Sequence, residues 1–86
     1  MSYYFYLARC RGGSLYSGSC KDIAQREEMH NAGKGAKYTR AHLPVTIIYS
    51  EHFKSLSEAL KREAQVKKFP KSKKELLAKG KLSGKG

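Results

Sequence analysis

The chain has 86 residues, with 18 Lys and Arg against 7 Asp and Glu for a formal charge of +11. A fold this small buries only about 60 to 65% of its unfolded surface, so there is room for one modest core and not for two domains. The charge favours a polyanion such as DNA or RNA over an acidic membrane, no apolar run approaches the roughly 18 to 20 residues of a spanning helix, and Met1 to Phe5 has no leader-like charge or apolar run, so the protein is expected in the cytoplasm.

In chain order, Tyr3–Cys10 is rich in aromatic and β-favouring side chains, and residues 14–19 follow after Arg11-Gly12-Gly13. Two such runs about a glycine turn predict an antiparallel hairpin. Cys10 and Cys20 flank it at different heights, too far apart for a disulfide, and are expected to be free thiols. His30, His42 and His52 have no zinc-like spacing with each other or with the cysteines. Asp22-Ile23-Ala24-Gln25 has the layout of a capping box and predicts a helix to about Asn31. Gly33 and Gly35 then predict a polar loop over 31–42. After Pro44, the β-branched and aromatic run Val45-Thr46-Ile47-Ile48-Tyr49 predicts a buried third strand. Ser55-Leu56-Ser57-Glu58 is a second capping box, opening a helix that runs to about Lys68, where Phe69-Pro70 stops it. A short helix is expected over Lys71–Ala78. Residues 79–86 carry Gly, Ser and Lys and are expected to form a disordered basic tail after a domain over 1–78.

Four groups of residues are candidates for chemistry. On the second capped helix, Leu56, Ala59 and Leu60 form the predicted apolar stripe, and Glu63 falls in its middle. A carboxylate there needs a partner: a salt bridge to Arg62, Lys67 or a base on the sheet, or a metal ion. In the hairpin, a three-residue loop sets Tyr16 opposite Ala8 and makes Tyr6 its diagonal neighbour on one face, whereas a two-residue turn separates the two tyrosines. As a pair they could serve a site; as ordinary strand aromatics they would be half-buried packing residues. Arg26 and His30 are spaced i and i+4, and together could meet a phosphate, or Arg26 could be neutralised by Glu27 or Glu28. Lys34, Lys37, Tyr38, Thr39 and Arg40 form a basic loop able to contact phosphates, with Tyr38 available to stack on an unpaired base, or else simply solvated. Lys67 and Lys68, followed by Lys71, Lys73 and Lys74, are suited to backbone contacts or to solvent.

The order of these pieces, from Tyr4 to Leu77, resembles the GIY-YIG nuclease superfamily, in its small stand-alone (URI-like) branch. Tyr4-Phe5-Tyr6 and Tyr16-Ser17-Gly18 resemble its two tyrosine motifs. Lys21-Asp22-Ile23-Ala24-Gln25-Arg26 resembles the helix leading to its phosphate-binding arginine. Gly35-Ala36-Lys37-Tyr38-Thr39-Arg40 with Pro44-Val45 resembles a signature of the small branch, and Ser57-Glu58-Ala59-Leu60-Lys61-Arg62-Glu63 the segment that brings its metal-binding glutamate. The resemblance implies an α+β fold, a three-stranded antiparallel sheet flanked by helices in β-β-α-β-α-α order. It also implies that Glu63 holds one Mg²⁺ or Mn²⁺, that Arg26 offsets charge on the phosphoryl transition state, and that Tyr6 and Tyr16 position the attacking water, one of them taking its proton. Free tyrosine has a pKa near 10, so a base role needs nearby positive charge favouring phenolate. This chain departs from the pattern in having no Asn after Glu63, and in having Ser19 three residues after Tyr16, where some members have Lys; Lys21 is the nearest substitute.

The expected function is a divalent-metal-dependent endonuclease acting on DNA in preference to RNA, in repair or recombination. Little sequence specificity is expected, since a basic surface without a recognition domain positions a backbone but does not read bases. No membrane and no obligate protein partner is expected. The alternative class is a nucleic-acid binding module that keeps the fold without turnover; a basic RNA-associated protein is a third.

Overall fold

The computed structural model describes residues 1–81. Strand β1 spans Tyr3–Cys10 and β2 spans Leu15–Cys20. They pair antiparallel in the register of the longer loop, with Ala8 opposite Tyr16 and Tyr6 opposite Gly18. Gly12 and Gly13 turn the chain at φ of 92° and 93°, a left-handed conformation that costs a residue with a Cβ dearly. Strand β3, Val45–Phe53, lies antiparallel on the other side of β1, so the sheet order is β2-β1-β3. It is four residues longer than the predicted run to Tyr49. Its distal half alternates exposed with partly buried side chains and so lacks the continuous apolar signal of the first half.

Because successive side chains on a strand point to opposite faces, β1 builds two cores at once. Tyr6, Ala8 and Cys10 pack with Cys20 and Val45 on one face, against Ile23 of helix α1, Ile23–Asn31. Phe5 and Leu7 pack on the other, against Val66 of α3, Leu56–Lys67, and Leu77 of α4, Lys71–Ala78. The sheet is thereby covered on both faces, as the α+β reading expected. Cys10 and Cys20 are buried free thiols.

Both predicted caps form. Asp22 Oδ1 accepts from the Gln25 N–H at 3.0 Å and Ser55 Oγ from the Glu58 N–H at 3.2 Å, each satisfying a helix-terminal donor. Helix α1 is held less by apolar contact than by polar clamps on β3. Asn31 exchanges two hydrogen bonds with the Val45 backbone, and Glu27 accepts from the Ile47 N–H at 2.7 Å. These clamps engage backbone groups of an edge strand that would otherwise be open.

Three expectations change. The predicted loop contains a one-turn helix, α2, over Lys37–Arg40; a single turn is stabilised by packing, not by propensity, and leaves little pattern in sequence. The buried face of α3 is Ala59, Arg62 and Val66, while Leu56 and Leu60 are exposed. The stripe is rotated because Arg62 is buried in an ion pair with Glu51 of β3, at 2.9 Å, and lies over the Phe69 ring. Finally, Lys79 and Gly80 belong to the end of α4: Lys79 is its C-cap, Gly80 has φ of 72°, and the Lys81 N–H donates to Leu76 O at 3.0 Å. The rest of the expected tail, residues 82–86, lies outside the described residues.

Candidate active site around the edge strand

Tyr6 is on the central strand and completely buried. Tyr16, its diagonal neighbour on β2, presents its ring 6.4 Å away at 44°. The Tyr6 ring reaches this place only because the residue opposite it is Gly18, where an added Cβ would stand 2.5 Å from the Tyr6 hydroxyl oxygen.

His30, in the last turn of α1, meets Tyr6 from above. Its Nε2 is 2.8 Å from the Tyr6 hydroxyl and its Nδ1 is 2.9 Å from Thr39 Oγ1. The ring is 1% exposed. It packs against Gly35, where a Cβ would lie 2.1 Å from Nδ1. His30 therefore does not share an open phosphate-facing surface with Arg26; it stands behind Tyr6. Burial, and secondarily the Arg26 charge, hold its pKa below the ordinary 6.5, so the neutral ring is favoured.

Arg26, one turn earlier, extends toward β2, where Nη1 donates to the Ser19 carbonyl at 3.2 Å. Burial holds the Tyr6 phenol well above 10, outweighing the nearby Arg26 charge, which favours phenolate. Glu27 is occupied with the β3 backbone and does not neutralise Arg26.

Ser19 points to the opposite face of the sheet from Tyr6. Its hydroxyl donates to Glu63 Oε1 at 2.7 Å, while Lys67 Nζ holds Glu63 Oε2 at 2.8 Å. Lys67 also lies within electrostatic range of Tyr16. Glu63 is thus at the margin of the buried face of α3 and leans over the edge of β2. Tyr6 and Arg26 thus lie on one face of the sheet and Glu63 on the other, and Ser19 of the outer strand β2 contacts both Arg26 and Glu63.

A cleft of about 290 Å³ continues from Ser19 and Arg26 along this edge, with Tyr3, Lys21, Gln25 and Leu56 among its walls. Lys21, the nearest substitute for a lysine at position 19, lies over the Tyr3 ring at 5.7 Å. Lys34, Lys37, Arg40 and Lys68 are exposed, as phosphate contacts must be. Thr39 is not: it lies on the inner face of α2 against His30, fully buried and unavailable to a nucleic acid. Tyr38 is exposed, but His42 stacks on one of its faces at 4.2 Å, which leaves at most the other face for a base.

Among the described residues, no three His, Cys, Asp or Glu side chains cluster to hold a metal ion. Of the carboxylates at this edge, Asp22 in the cleft wall caps α1 through Oδ1, and Glu63 is the one that Ser19 holds. One hard oxygen donor suits Mg²⁺ or Mn²⁺, which keep several waters and complete their shell with substrate phosphate oxygens. Lys67 occupies one carboxylate oxygen, but its side chain is 53% exposed and able to swing aside at little cost.

The family model of the GIY-YIG catalytic domain matches residues 2–75. The chain belongs to the GIY-YIG family. A UPF0213 protein of Staphylococcus saprophyticus is 50% identical over 72 residues, covering 84% of this chain and 88% of its own length. A UPF0213 protein of Staphylococcus aureus is 47% identical over 73 residues, covering 85% and 89%. The solution NMR structure of a UPF0213 protein from Bacillus halodurans superposes with a TM-score of 0.60 at 40% identity over 94% of this chain and 86% of that one. A protein of E. faecalis, also solved by NMR, gives 0.61 at 43% identity over 93% and 85%. GIY-YIG domains are generally endonucleases that depend on a divalent metal, and a nuclease domain implies a nucleic-acid substrate. This GIY-YIG chain thus carries a nuclease-type domain on the expected three-stranded frame. Thr39 and Ser19 are the members of the arrangement whose contacts sequence reasoning missed. The only prior signal for Ser19 was its place three residues after Tyr16.

Proposed function

We propose that the protein is a divalent-metal-dependent endonuclease that hydrolyses phosphodiester bonds in DNA with little sequence specificity, in a repair or recombination setting. The observation that carries this reading is Ser19, whose carbonyl holds Arg26 and whose hydroxyl holds Glu63, so that a phosphate-binding cation and a carboxylate flank one strand edge.

In this reading Arg26 receives the scissile phosphate with its planar fork and offsets the charge that grows on it in the transition state. Tyr16 orients the attacking water. Tyr6 takes a proton from that water as it hands its own proton to His30 Nε2. The water O–H breaks, a new Tyr6 O–H forms, and the imidazole becomes imidazolium. A standing Tyr6 phenolate is not used, because burial opposes it; the neutral His30 makes the transfer feasible. Glu63 would hold the Mg²⁺ or Mn²⁺, which when bound supplies a Lewis acid for a phosphate oxygen. Lys21, Lys34, Lys37, Arg40, Lys67 and Lys68 contribute backbone affinity, which positions without reading sequence.

A second reading is a binding module without turnover, favoured by the ion pair of Lys67 on Glu63. The test separates the two. Purified protein with Mg²⁺ or Mn²⁺ is expected to nick plasmid DNA, and Glu63→Ala and Arg26→Ala to abolish nicking. Salt-sensitive DNA binding with no cleavage at any metal assigns the binding role, and cleavage that survives equally in Glu63→Ala removes the catalytic one.

A further inference from the structure

We infer that Thr39 sets the tautomer of His30, keeping the proton on Nδ1 and presenting a bare Nε2 to Tyr6. The function of this lock rests on the reading of His30 as acceptor of the Tyr6 proton; the lock itself rests on hydrogen-bond geometry.

A threonine hydroxyl has one hydrogen to give. That of Thr39 is given to the Ala36 carbonyl at 2.9 Å, in a fully buried position that excludes competing solvent. The oxygen lone pair that remains faces His30 Nδ1 at 2.9 Å and can only accept, so Nδ1 carries the proton. A neutral imidazole has a single N–H, which leaves Nε2 as an acceptor 2.8 Å from the Tyr6 hydroxyl.

The other end of the chain of bonds demands the same direction. Tyr6 is fully buried, so its hydroxyl hydrogen needs an acceptor within the protein, and His30 Nε2 at 2.8 Å supplies it. In the opposite tautomer Nε2–H would donate to Tyr6, Thr39 would turn from Ala36 to Nδ1, and the Tyr6 hydrogen would lose that acceptor. The observed order satisfies one more buried group. Gly35 completes the device by leaving room for the ring at a distance no Cβ permits. Segment 34–40, expected as a phosphate-contacting loop, thereby acts in part through the protein interior. Thr39 is a positioning residue.

The experiment is a ring-nitrogen NMR correlation on full-length, ¹⁵N-histidine-labelled protein without metal or DNA, paired with single-turnover cleavage. Wild type is expected to show His30 neutral with the proton on Nδ1, and Thr39→Ser to retain both tautomer and rate. Thr39→Val, of like shape but with no hydroxyl, is expected to shift His30 toward the Nε2–H form. Its rate is expected to fall by about tenfold or more with DNA affinity unchanged. An Nε2–H tautomer in wild type, or an Nδ1–H tautomer retained in Thr39→Val, overturns the inference. A tautomer that shifts in Thr39→Val while the rate stays constant upholds the lock and instead removes His30 from the proposed proton path.

Discussion

The Ser19 hydroxyl donates to Glu63 Oε1 across 2.7 Å, joining the outer strand of the sheet to a helix on its far face. Glu63 is on the metal side of the proposed reaction and the Ser19 backbone on the arginine side. The contact therefore fixes the spacing of two charged groups that neither element fixes alone. Ser19→Ala is expected to cost about 1.5 to 3 kcal/mol of stability, the net worth of one partly buried hydrogen bond to a charge. It should also reduce cleavage several-fold by loosening Glu63. Urea denaturation and single-turnover kinetics check the two effects, and a rate equal to wild type would show that Glu63 needs no such support.

The two close glycines predict a steric result. Gly18→Ala drives a methyl into the Tyr6 hydroxyl and Gly35→Ala into the His30 ring, both buried and unable to retreat. Each is expected to destabilise by about 1 to 3 kcal/mol, the usual range for overpacking. Each should also separate Tyr6 from His30. Gly33→Ala serves as a contrast: it meets open space, and its penalty comes only from a φ of 77°. Thermal melts rank the three, and loss of cleavage is expected for the first two alone.

Protonation of His30 gives a pH dependence whose sign follows from its depressed pKa. Above the ordinary value of 6.5 the ring is neutral in both folded and unfolded chains and contributes no slope. As pH falls through 6.5 the unfolded chain takes up the proton first, so stability declines until the folded value is reached and then levels. Cleavage should persist to below pH 6.5 before its acid limb appears, because the folded ring remains an acceptor. Melting temperatures against pH for wild type and His30→Gln isolate this slope. Parallel curves below neutrality would refute it.

Glu51 predicts stability without catalysis. It pairs with the buried Arg62 guanidinium and accepts from the Tyr49 hydroxyl, whose phenol is held up at about 12 by burial and then by this bond. Glu51→Ala leaves Arg62 charged and unpartnered by carboxylate in the core, a loss of about 3 to 5 kcal/mol. The folded fraction should still cleave at the wild-type rate, since neither residue touches Tyr6, Arg26 or Glu63. Kinetics normalised to the folded population by circular dichroism test this.

The sequence by itself determined what depends on short-range signals. Asp22 and Ser55 start helices because a side-chain oxygen meets an N–H three residues on, and the Gly12-Gly13 loop decides the register that brings Tyr6 near Tyr16. The alternation along β1 likewise assigns Tyr6 and Phe5 to opposite faces before any partner is known. The tertiary structure alone decided which groups those faces would meet. Arg62 is core and Leu60 surface because Glu51, on another element, makes a buried guanidinium tolerable. Thr39 is interior, and His30 lies behind Tyr6 and not beside Arg26 on the surface, because α2 packs under α1. Ser19 joins Arg26 to Glu63 only because its strand ends the sheet. These contacts link residues on different elements. Their energy lies in desolvation and hydrogen-bond pairing between elements, which local patterns of residues do not encode.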